Sequence, residues 1–437
     1  MHEHEKGRLN TFQQTMVHWD DLHPYNAVHS VKIFGQLNFE RLNCVINTSL
    51  ERHGLTNLML DHSEGTYHYL GGPAQHGVKP LANEGELLPE IERQLNTRFI
   101  RDKVFEPFRF FVAPGQDSFW LGVAYFHPIA DAESIVRLLK ELVENYSSDE
   151  PVRVGHFARY QDDQNVAPVR VLTKKLWALP SLAINLRRSC RPAYRDSLNL
   201  QNGFLYFSMS SGCLAALKDT AKTWQVTIND LFLGLLLKSL MPLAEKRISG
   251  KRTRLSVGCV VNSRSALSLN SKDAFGLFLG SFIVSCELAA GGTCMKPNSS
   301  LMQLSKHVQQ QTKAVKEAKL YLGAPLEMRF GQLMLPFFSL ERRKRLYQKH
   351  YPLWGGITNL NLNSLWPAIE QHRIDYFRAV STGPVTPLVV SLTSVGNRLN
   401  VGVTFRSTVF STQDVENVQG CFQNEIGRLN AEAAEPE

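Results

Sequence analysis

The sequence predicts a mixed α+β sandwich fold in which strands and helices follow one another irregularly in two successive halves. Both halves combine hairpins with helices, and neither shows the strict strand–helix–strand order of a parallel α/β protein. The chain has 437 residues, enough for two or three domains. Its 43% hydrophobic and 20% charged residues match globular averages, which argues against a disordered, collagen-like or coiled-coil chain. We therefore expect two α+β lobes.

The first half is expected to end in a strand, a short turn and a helix. Thr11 and Gln14 have the spacing of a capping box, which predicts a helix beginning at Thr11. Apolar residues at helical spacing predict the second helix, and alternation between turn signals predicts the strands. The predicted strands are 27–34, 55–61, 66–70, 106–113 and 118–126, and the later helices are 38–53, 86–97 and 133–146.

The second half is also expected to mix strands and helices irregularly. It follows a basic stretch, 147–202, that is rich in proline and lacks a strand pattern. The predicted domains are an N-terminal lobe over 1–165, a basic inter-lobe connection over 166–202 and a C-terminal lobe over 203–437. The predicted strands are 203–209, 254–261, 278–287, 356–361, 374–380, 387–394 and 399–405, and the helices are 213–223, 227–244, 299–320, 325–347 and 412–430.

The chain carries none of the usual signals for membrane insertion or export. No run approaches the roughly 18 apolar residues that span a bilayer, and the polar N-terminus lacks the apolar core of a signal peptide. The seven cysteines are scattered without a C-x-x-C pair, which is typical of reduced, buried thiols. We expect a soluble, cytoplasmic protein.

The net charge of +8 favours an anionic partner, and much of the excess lies in 169–195, which contains no Asp or Glu. Pro180 is predicted to split this segment into two short helices. The segment has two interpretations: a peripheral contact with anionic membrane, or a crossover whose apolar side covers the core. The same cations could attract an acidic carrier protein. No nucleic-acid-binding signature accompanies them, and we expect no nucleic-acid partner.

The candidate chemistry lies where the strand 118–126 meets the helix 133–146. His127 follows the strand directly, and Pro128 prevents further strand pairing. Asp131 precedes the helix, where its carboxylate can accept from free backbone amides. A histidine held at a strand end on a stiff turn is well placed to project into a cleft and to act as a general base.

These residues resemble the H-H-x-x-x-D-G motif of the chloramphenicol-acetyltransferase-like acyltransferases. Within that superfamily the chain looks most like the condensation domains of nonribosomal peptide synthetases and their stand-alone relatives, including polyketide-associated acyltransferases and wax ester synthases. His127 matches the second, catalytic histidine of the motif and Asp131 its aspartate. Phe126 stands in place of the first histidine and Ala132 in place of the glycine.

Other segments resemble the family in the same order, so that the resemblance covers about residues 9–430. Val260–Arg264 is similar to a strand ending in arginine, and Thr358–Asn361 to a strand end that lines the substrate tunnel. The remaining similar segments are the opening helix motif at 9–13, the V-N-D-like helix start at 227–233 and the glycine-bounded segment at 275–280.

The resemblance implies two lobes that form a V around a central tunnel, with His127 as general base and Asp131 as structural support of the loop. It implies a salt bridge from Asp131 to an arginine, for which Arg264 is the candidate. An acyl group would pass from a CoA or a carrier-protein thioester, acting in trans, to a small amine or alcohol acceptor. No metal or bound cofactor is expected, and the thioester of CoA or phosphopantetheine is a substrate. The implied substrate-binding residues are Phe126, Ala132, Arg264, Thr358 and Asn359.

Two functions of different class remain open at this point. The first is a condensation-like acyltransferase that forms an amide or an ester, in natural-product or lipid biosynthesis. The second is a catalytically silent docking or scaffold protein that binds acyl carrier proteins, for which the changes at Phe126 and Ala132 leave room. The chain has no G-x-S-x-G elbow, P-loop, dinucleotide fingerprint or H-E-x-x-H, which weakens hydrolase, nucleotide-binding and metalloprotease interpretations.

Overall fold

The protein is an α+β chain, as the sequence predicts. The computed structural model describes residues 6–61, 63–74, 77–148, 150–155, 157–159, 169–209, 211–264, 274–288, 300–334, 337–367 and 375–434. The strands, β1–β16 in chain order, are Lys6–Arg8, Asn26–Phe34, Leu58–Asp61, Thr66–Tyr69, Lys79–Pro80, Phe108–Pro114, Ser118–Phe126, Ala158–Arg159, Asn202–Met209, Arg254–Asn262, Ala274–Phe275, Leu279–Glu287, Gly355–Asn361, Asp375–Val380, Leu388–Val395 and Arg398–Arg406. The helices, α1–α12, are Thr11–Leu22, Phe39–Arg52, Leu87–Asn96, Ala132–Ser147, Val169–Arg188, Cys213–Thr223, Ile228–Glu245, Leu301–Glu317, Ala324–Met334, Leu340–His350, Leu362–Leu365 and Thr412–Ala434.

The chain forms two compact units, and each is assembled from separate stretches of sequence. The first comprises Met1–Val166, Asn262–Leu279 and Leu360–Ser381, and the second comprises the rest. The predicted boundary at 165–166 lies outside the described residues. The predicted lobes were continuous stretches, whereas the first unit also takes 262–279 and 360–381 from the later sequence. The reason is strand pairing, because β14 completes a sheet whose other strands all come before residue 127.

The first unit is built on a five-stranded sheet with the order β14-β2-β7-β6-β5. β7 lies at its centre and is buried along its whole length, with antiparallel partners on both sides. β2 is likewise paired on both sides, with β7 and with β14. A strand buried on both faces and paired at both edges is a rigid support for whatever follows its last residue.

The second unit is built on a six-stranded sheet with the order β12-β10-β13-β15-β16-β9. α7 is its central helix: apolar residues cover most of its circumference, and it packs against α8 and α12. Thr227 caps α7, and Asp230 bonds back to the Thr227 amide, so this helix begins where the sequence predicts. β10 and β13 pair in parallel, with Val260 opposite Thr358.

The first helix is capped one residue earlier than expected. Asn10, and not Thr11, accepts from the Gln13 amide, and the Gln13 side chain accepts from the Asn10 amide. Asn is as good an N-cap as Thr, and the shift frees the Thr11 hydroxyl from capping. We expect Asn10→Ala to lower the free energy of unfolding by about 1 kcal/mol, measured by chemical denaturation. Unchanged stability would contradict a capping role for this side chain.

The basic stretch is a single helix, α5 (Val169–Arg188), where the sequence predicted two short ones divided at Pro180. A proline within a helix removes one backbone donor. Pro180 lies on the exposed side of α5, so the carbonyl that loses its partner can bond water instead. The described part of the predicted connection, 169–202, belongs to the second unit.

Among the described residues, no single helix is long and apolar enough to cross a membrane. The helices α6 and α7 reach that length and composition only when taken together, and the chain bends by 100° between them.

Candidate functional site

The predicted strand, turn and helix are present around His127. β7 ends at Phe126, and His127–Ile129 form one turn of 3₁₀ helix with Pro128 in its first positions. α4 begins at Ala132 with Asp131 as its N-cap. The His127 amide donates to the Tyr25 carbonyl at 3.3 Å, which ties the turn to the start of β2. The histidine is therefore fixed at the end of a fully paired strand.

The imidazole of His127 is held in one tautomer. Its Nδ1 lies 3.1 Å from the carbonyl oxygen of Ala130. A carbonyl only accepts, so Nδ1 must carry the proton and Nε2 must carry the lone pair. The ring stacks on Tyr25 at 5.5 Å between centroids and meets Tyr125 edge-on at 5.6 Å. The arrangement leaves Nε2 as the basic atom.

The pKa of His127 is lowered from 6.5 to about 4, first because burial disfavours the charged imidazolium. The carbonyl of Ala130 and the carboxylate of Asp131 oppose this shift, whereas the positive charge of Arg378 adds to it. The residue is 7% exposed. At neutral pH the imidazole is therefore uncharged, with the lone pair of Nε2 unprotonated.

Asp131 faces away from the imidazole and holds the turn in place. Its Oδ1 accepts from the Ser134 amide at 2.9 Å, the N-cap bond of α4. Its Oδ2 accepts from Nη1 of Arg264 at 2.6 Å and from the Phe278 amide at 3.1 Å. The Asp131 amide donates to the Gly276 carbonyl at 2.9 Å. One side chain thus connects three segments of the first unit.

Arg264 is the partner of Asp131, as the resemblance implied, and it is 3% exposed. Nη2 donates to the Ser134 hydroxyl at 2.8 Å and to the Ala274 carbonyl at 3.3 Å. The guanidinium also lies 4.3 Å from the ring centroid of Phe278. Its donors point into this cluster, and these contacts are those of a positioning residue. The expected substrate contact of Arg264 stays a prediction.

Phe126 and Ala132 occupy different environments from each other. Phe126 is fully buried, with its ring edge-on to Phe99 and Phe105 and under the guanidinium of Arg101. Successive strand residues point to opposite faces, so Phe126 faces away from Tyr125. Phe126 therefore packs in the core, and its expected role as a substrate contact stays a prediction. Ala132 is half-buried at the start of α4, and its expected role stays a prediction.

The opening helix supports the same turn from the other side. Nε2 of Gln13 donates to the Pro128 carbonyl at 3.0 Å, and the Asn10 amide group reaches the Leu277 carbonyl at 3.5 Å. The segment 9–13, which resembles a family motif, therefore makes hydrogen bonds to the region around His127. These residues position the turn that carries His127, and they belong to the same unit.

A buried polar cluster beside His127 was not predicted from the sequence. Nδ1 of His29 lies 2.5 Å from the Tyr376 hydroxyl, and its Nε2 lies 3.4 Å from the Tyr125 hydroxyl. Arg378 lies opposite His29 in the β2–β14 register and is 1% exposed. Burial lowers the pKa of Arg378 to about 10 and that of His29 well below 6.5. Side chains along a strand alternate between faces, so residues 27, 29 and 31 share one face of β2, and 376 and 378 share one face of β14. This spacing was the only sequence signal that pointed to the cluster.

Thr358 and Asn359 lie near the end of β13, in the second unit. Nδ2 of Asn359 donates to Oδ1 of Asn229 at 2.8 Å, which joins two of the segments that resemble the family. Oδ1 of Asn359 is buried and accepts no hydrogen bond from the described part of the chain. Asn229 lies in the segment 227–233 that resembles the family, but it was not among the predicted site residues. The expected role of Thr358 and Asn359 in substrate or oxyanion contacts stays a prediction.

No family model and no curated protein matches this chain. Solved structures do match it over nearly its full length. The first condensation domain of the CDA synthetase has a TM-score of 0.69 and 14% identity, with 99% of this chain and 97% of that domain covered. The epimerization domain from the third module of tyrocidine synthetase B has a TM-score of 0.68 and 11% identity, with 98% and 97% covered.

A third similar structure is the X-domain from teicoplanin biosynthesis, solved in complex with OxyB. It has a TM-score of 0.61 and 14% identity, with 99% of this chain and 94% of that chain covered. At such identities the likeness concerns the fold alone. This chain has the fold of the condensation and epimerization domains of nonribosomal peptide synthetases.

Proposed function

We propose that this protein is a condensation-like acyltransferase that moves an acyl group from a thioester to an amine or an alcohol. The donor is an acyl-CoA or an acyl or peptidyl carrier protein that acts in trans, and the product is an amide or an ester. The observation that carries the proposal is the hydrogen bond from Nδ1 of His127 to Ala130, which leaves Nε2 as a base at the end of a buried strand.

The proposed reaction needs one proton acceptor and no covalent intermediate on the protein. Nε2 of His127 takes the proton from the acceptor N–H or O–H as its nitrogen or oxygen attacks the thioester carbonyl. The tetrahedral intermediate then collapses, the carbon–sulfur bond breaks, and the imidazolium returns the proton to the leaving thiolate. The products are a free thiol and the acylated acceptor, so atoms and protons balance without a metal or redox cofactor.

The ion pair of Asp131 with Arg264 supports this role by fixing the backbone that carries His127. Neither side chain reaches the imidazole in the described contacts, so both act as positioning residues. The low pKa of His127 keeps the base uncharged at neutral pH, and the proton that it accepts during attack is transient. An uncharged base held in one tautomer does not have to lose a proton or change its tautomer when the substrate binds.

The test is an assay of thiol release combined with mass analysis of the products. Wild-type protein is offered pooled short, medium and long acyl-CoAs with pooled amines and alcohols, beside His127→Ala. His18→Ala is the matched control, because His18 lies on the surface of α1 in the same unit. Thiol release and an acylated product are expected from wild type and from the His18 variant, and neither from the His127 variant.

The other outcomes are equally informative. If no protein releases thiol from acyl-CoA, the assay is repeated with acyl-phosphopantetheinyl carrier proteins as donors. Failure with both kinds of donor would reject the transferase proposal. Equal turnover by wild type and His127→Ala would reject His127 as the base and with it the mechanism given above.

The pH profile tests the electrostatics of the base. Protonated His127 cannot accept a proton, so kcat/KM should fall only as pH drops toward about 4, and not near 6.5. Arg378 is one cause of the lowered pKa, and Arg378→Met should therefore move the falling limb of the profile to higher pH. Arg378→Lys keeps the positive charge and should keep the wild-type limb. A limb near pH 6.5 in wild type would contradict this.

A second candidate function is a docking protein that binds carrier proteins without turnover. The similarity to an X-domain that was solved bound to OxyB favours this alternative. Binding of acyl carrier proteins, measured by calorimetry, would then be equal for wild type and His127→Ala, and no donor would be consumed. Turnover that depends on His127 would exclude this candidate.

A further inference from the structure

The outward side of α5 carries apolar side chains that the described part of the second unit leaves exposed. Trp177 is 86% exposed, Ile184 55% and Leu176 46%. Trp177 and Ile184 are seven residues apart and therefore lie on one line along the helix. Val171 and Leu186 point the other way and are buried, so α5 covers the core with one side and presents a second apolar row to its surroundings.

The inner side of α5 is held tightly, which fixes the direction of the outer row. Nζ of Lys175 pairs with Glu327 at 2.7 Å. A Cβ at Gly323 would lie 2.8 Å from Cγ of Lys175, so a glycine is needed for this close approach. These contacts point Trp177 and Ile184 outward, where the described part of the unit does not cover them.

Cations border the apolar row on both sides, and 169–195 contains no carboxylate that could offset them. Lys175 lies on the inner side and is already paired, as described above. The exposed basic residues of α5 are Arg170, Lys174, Arg187 and Arg188. An apolar row flanked by lysine and arginine, on a helix without acidic residues, is the pattern of helices that lie in a membrane interface.

A second group of cations continues this surface at the end of α5. Nη2 of Arg191 donates to the Lys349 carbonyl at 2.9 Å, which joins the end of α5 to the end of α10. The pKa of His350 is lowered, first by burial and then by the charges of Lys349, Arg191 and Arg187. Three cationic side chains therefore lie near His350 at this end of the helix, and an anionic surface would offset their charges.

We propose that the outward face of α5, with the cationic end of α10, binds the surface of an anionic lipid bilayer. The apolar row would enter the boundary between headgroups and acyl chains, with Trp177 as an interfacial anchor. The arginines would contact the headgroups, where each basic residue strengthens binding about fivefold. An acidic carrier protein could also attract these cations, but it offers no apolar phase for a tryptophan and an isoleucine seven residues apart.

The test uses the full chain and vesicles of phosphatidylcholine with or without roughly 30 mol % phosphatidylserine. Wild-type protein should float with the anionic vesicles only and should be released by salt. Arg187→Gln/Arg188→Gln should weaken binding about 30-fold, from two factors of about five. The Trp177→Ser/Ile184→Ser variant should also lose binding, because the apolar row is removed. Lys218→Gln/Lys222→Gln, on the exposed side of α6, is the matched control and should bind as wild type does.

Three results would overturn the proposal. The first is wild-type protein that stays unbound with anionic vesicles. The second is binding that falls equally in the control and in the α5 variants, which would mean attraction by net charge alone. The third is vesicle binding that is insensitive to Trp177→Ser/Ile184→Ser, which would exclude interfacial insertion.

Discussion

Arg264→Met should lower the free energy of unfolding by about 3–5 kcal/mol, because it leaves the Asp131 carboxylate buried without its ion partner. Methionine replaces the unbranched aliphatic part of the arginine side chain and removes the charged guanidinium, so the cavity is smaller than alanine would leave. The variant also loses the bonds from Nη2 to Ser134 and Ala274. Chemical denaturation followed by circular dichroism measures the change.

Two further variants test whether the loss of stability comes from the buried ion pair. Arg428→Met removes an arginine from an exposed ion-pair network on α12 and should change stability by about 0–1 kcal/mol. Asp131→Asn combined with Arg264→Met should cost less than the sum of the single changes, since the two groups interact directly. A loss for Arg264→Met as small as for Arg428→Met would show that the buried pair is not needed to hold the turn.

His127→Ala should reduce kcat about 100- to 10,000-fold, the range that a positioned general base contributes. Folding should be retained, because the backbone of the turn is held by Asp131 and Gln13, which the change leaves in place. Steady-state kinetics of thiol release, on protein whose circular dichroism matches wild type, measures the effect.

The split between kcat and KM separates this role from a structural one. A lost base lowers kcat and kcat/KM alike, whereas a displaced turn would also raise KM. His18→Ala should leave both constants unchanged. A kcat for His127→Ala within about threefold of wild type would show that the proton acceptor is another group.

Short-range sequence patterns predicted the part of the site whose residues lie close together in the sequence, from β7 to the start of α4. β7, the turn at His127 and the helix that follows were all expected, because alternation, proline and an N-cap aspartate act within a few residues. The pairing of Asp131 with Arg264 spans more than a hundred residues. It was expected only through the resemblance, since no periodicity links such distant positions.

The errors have physical causes of the same kind. Thr11 was expected to cap the first helix, but the capping bonds are made by Asn10 and Gln13. Pro180 was expected to break α5, but the exposed position of Pro180 lets solvent replace the lost bond. The cluster around His29 depends on which strand lies next to β2. A single sequence does not reveal that neighbour.

The position of β14 has a consequence for how this protein is made. β2 lies between β7 and β14, and β14 comes from Asp375–Val380, late in the chain. During synthesis the early strands emerge long before that partner, so β2 presents an open edge of unpaired amides and carbonyls. Such an edge can pair with other chains, and pairing across so long a loop is slow. A fragment that stops near residue 166 would keep that edge open permanently. The protein is therefore expected to depend on holding chaperones while it is translated, and dissection of its first unit by truncation should yield aggregates.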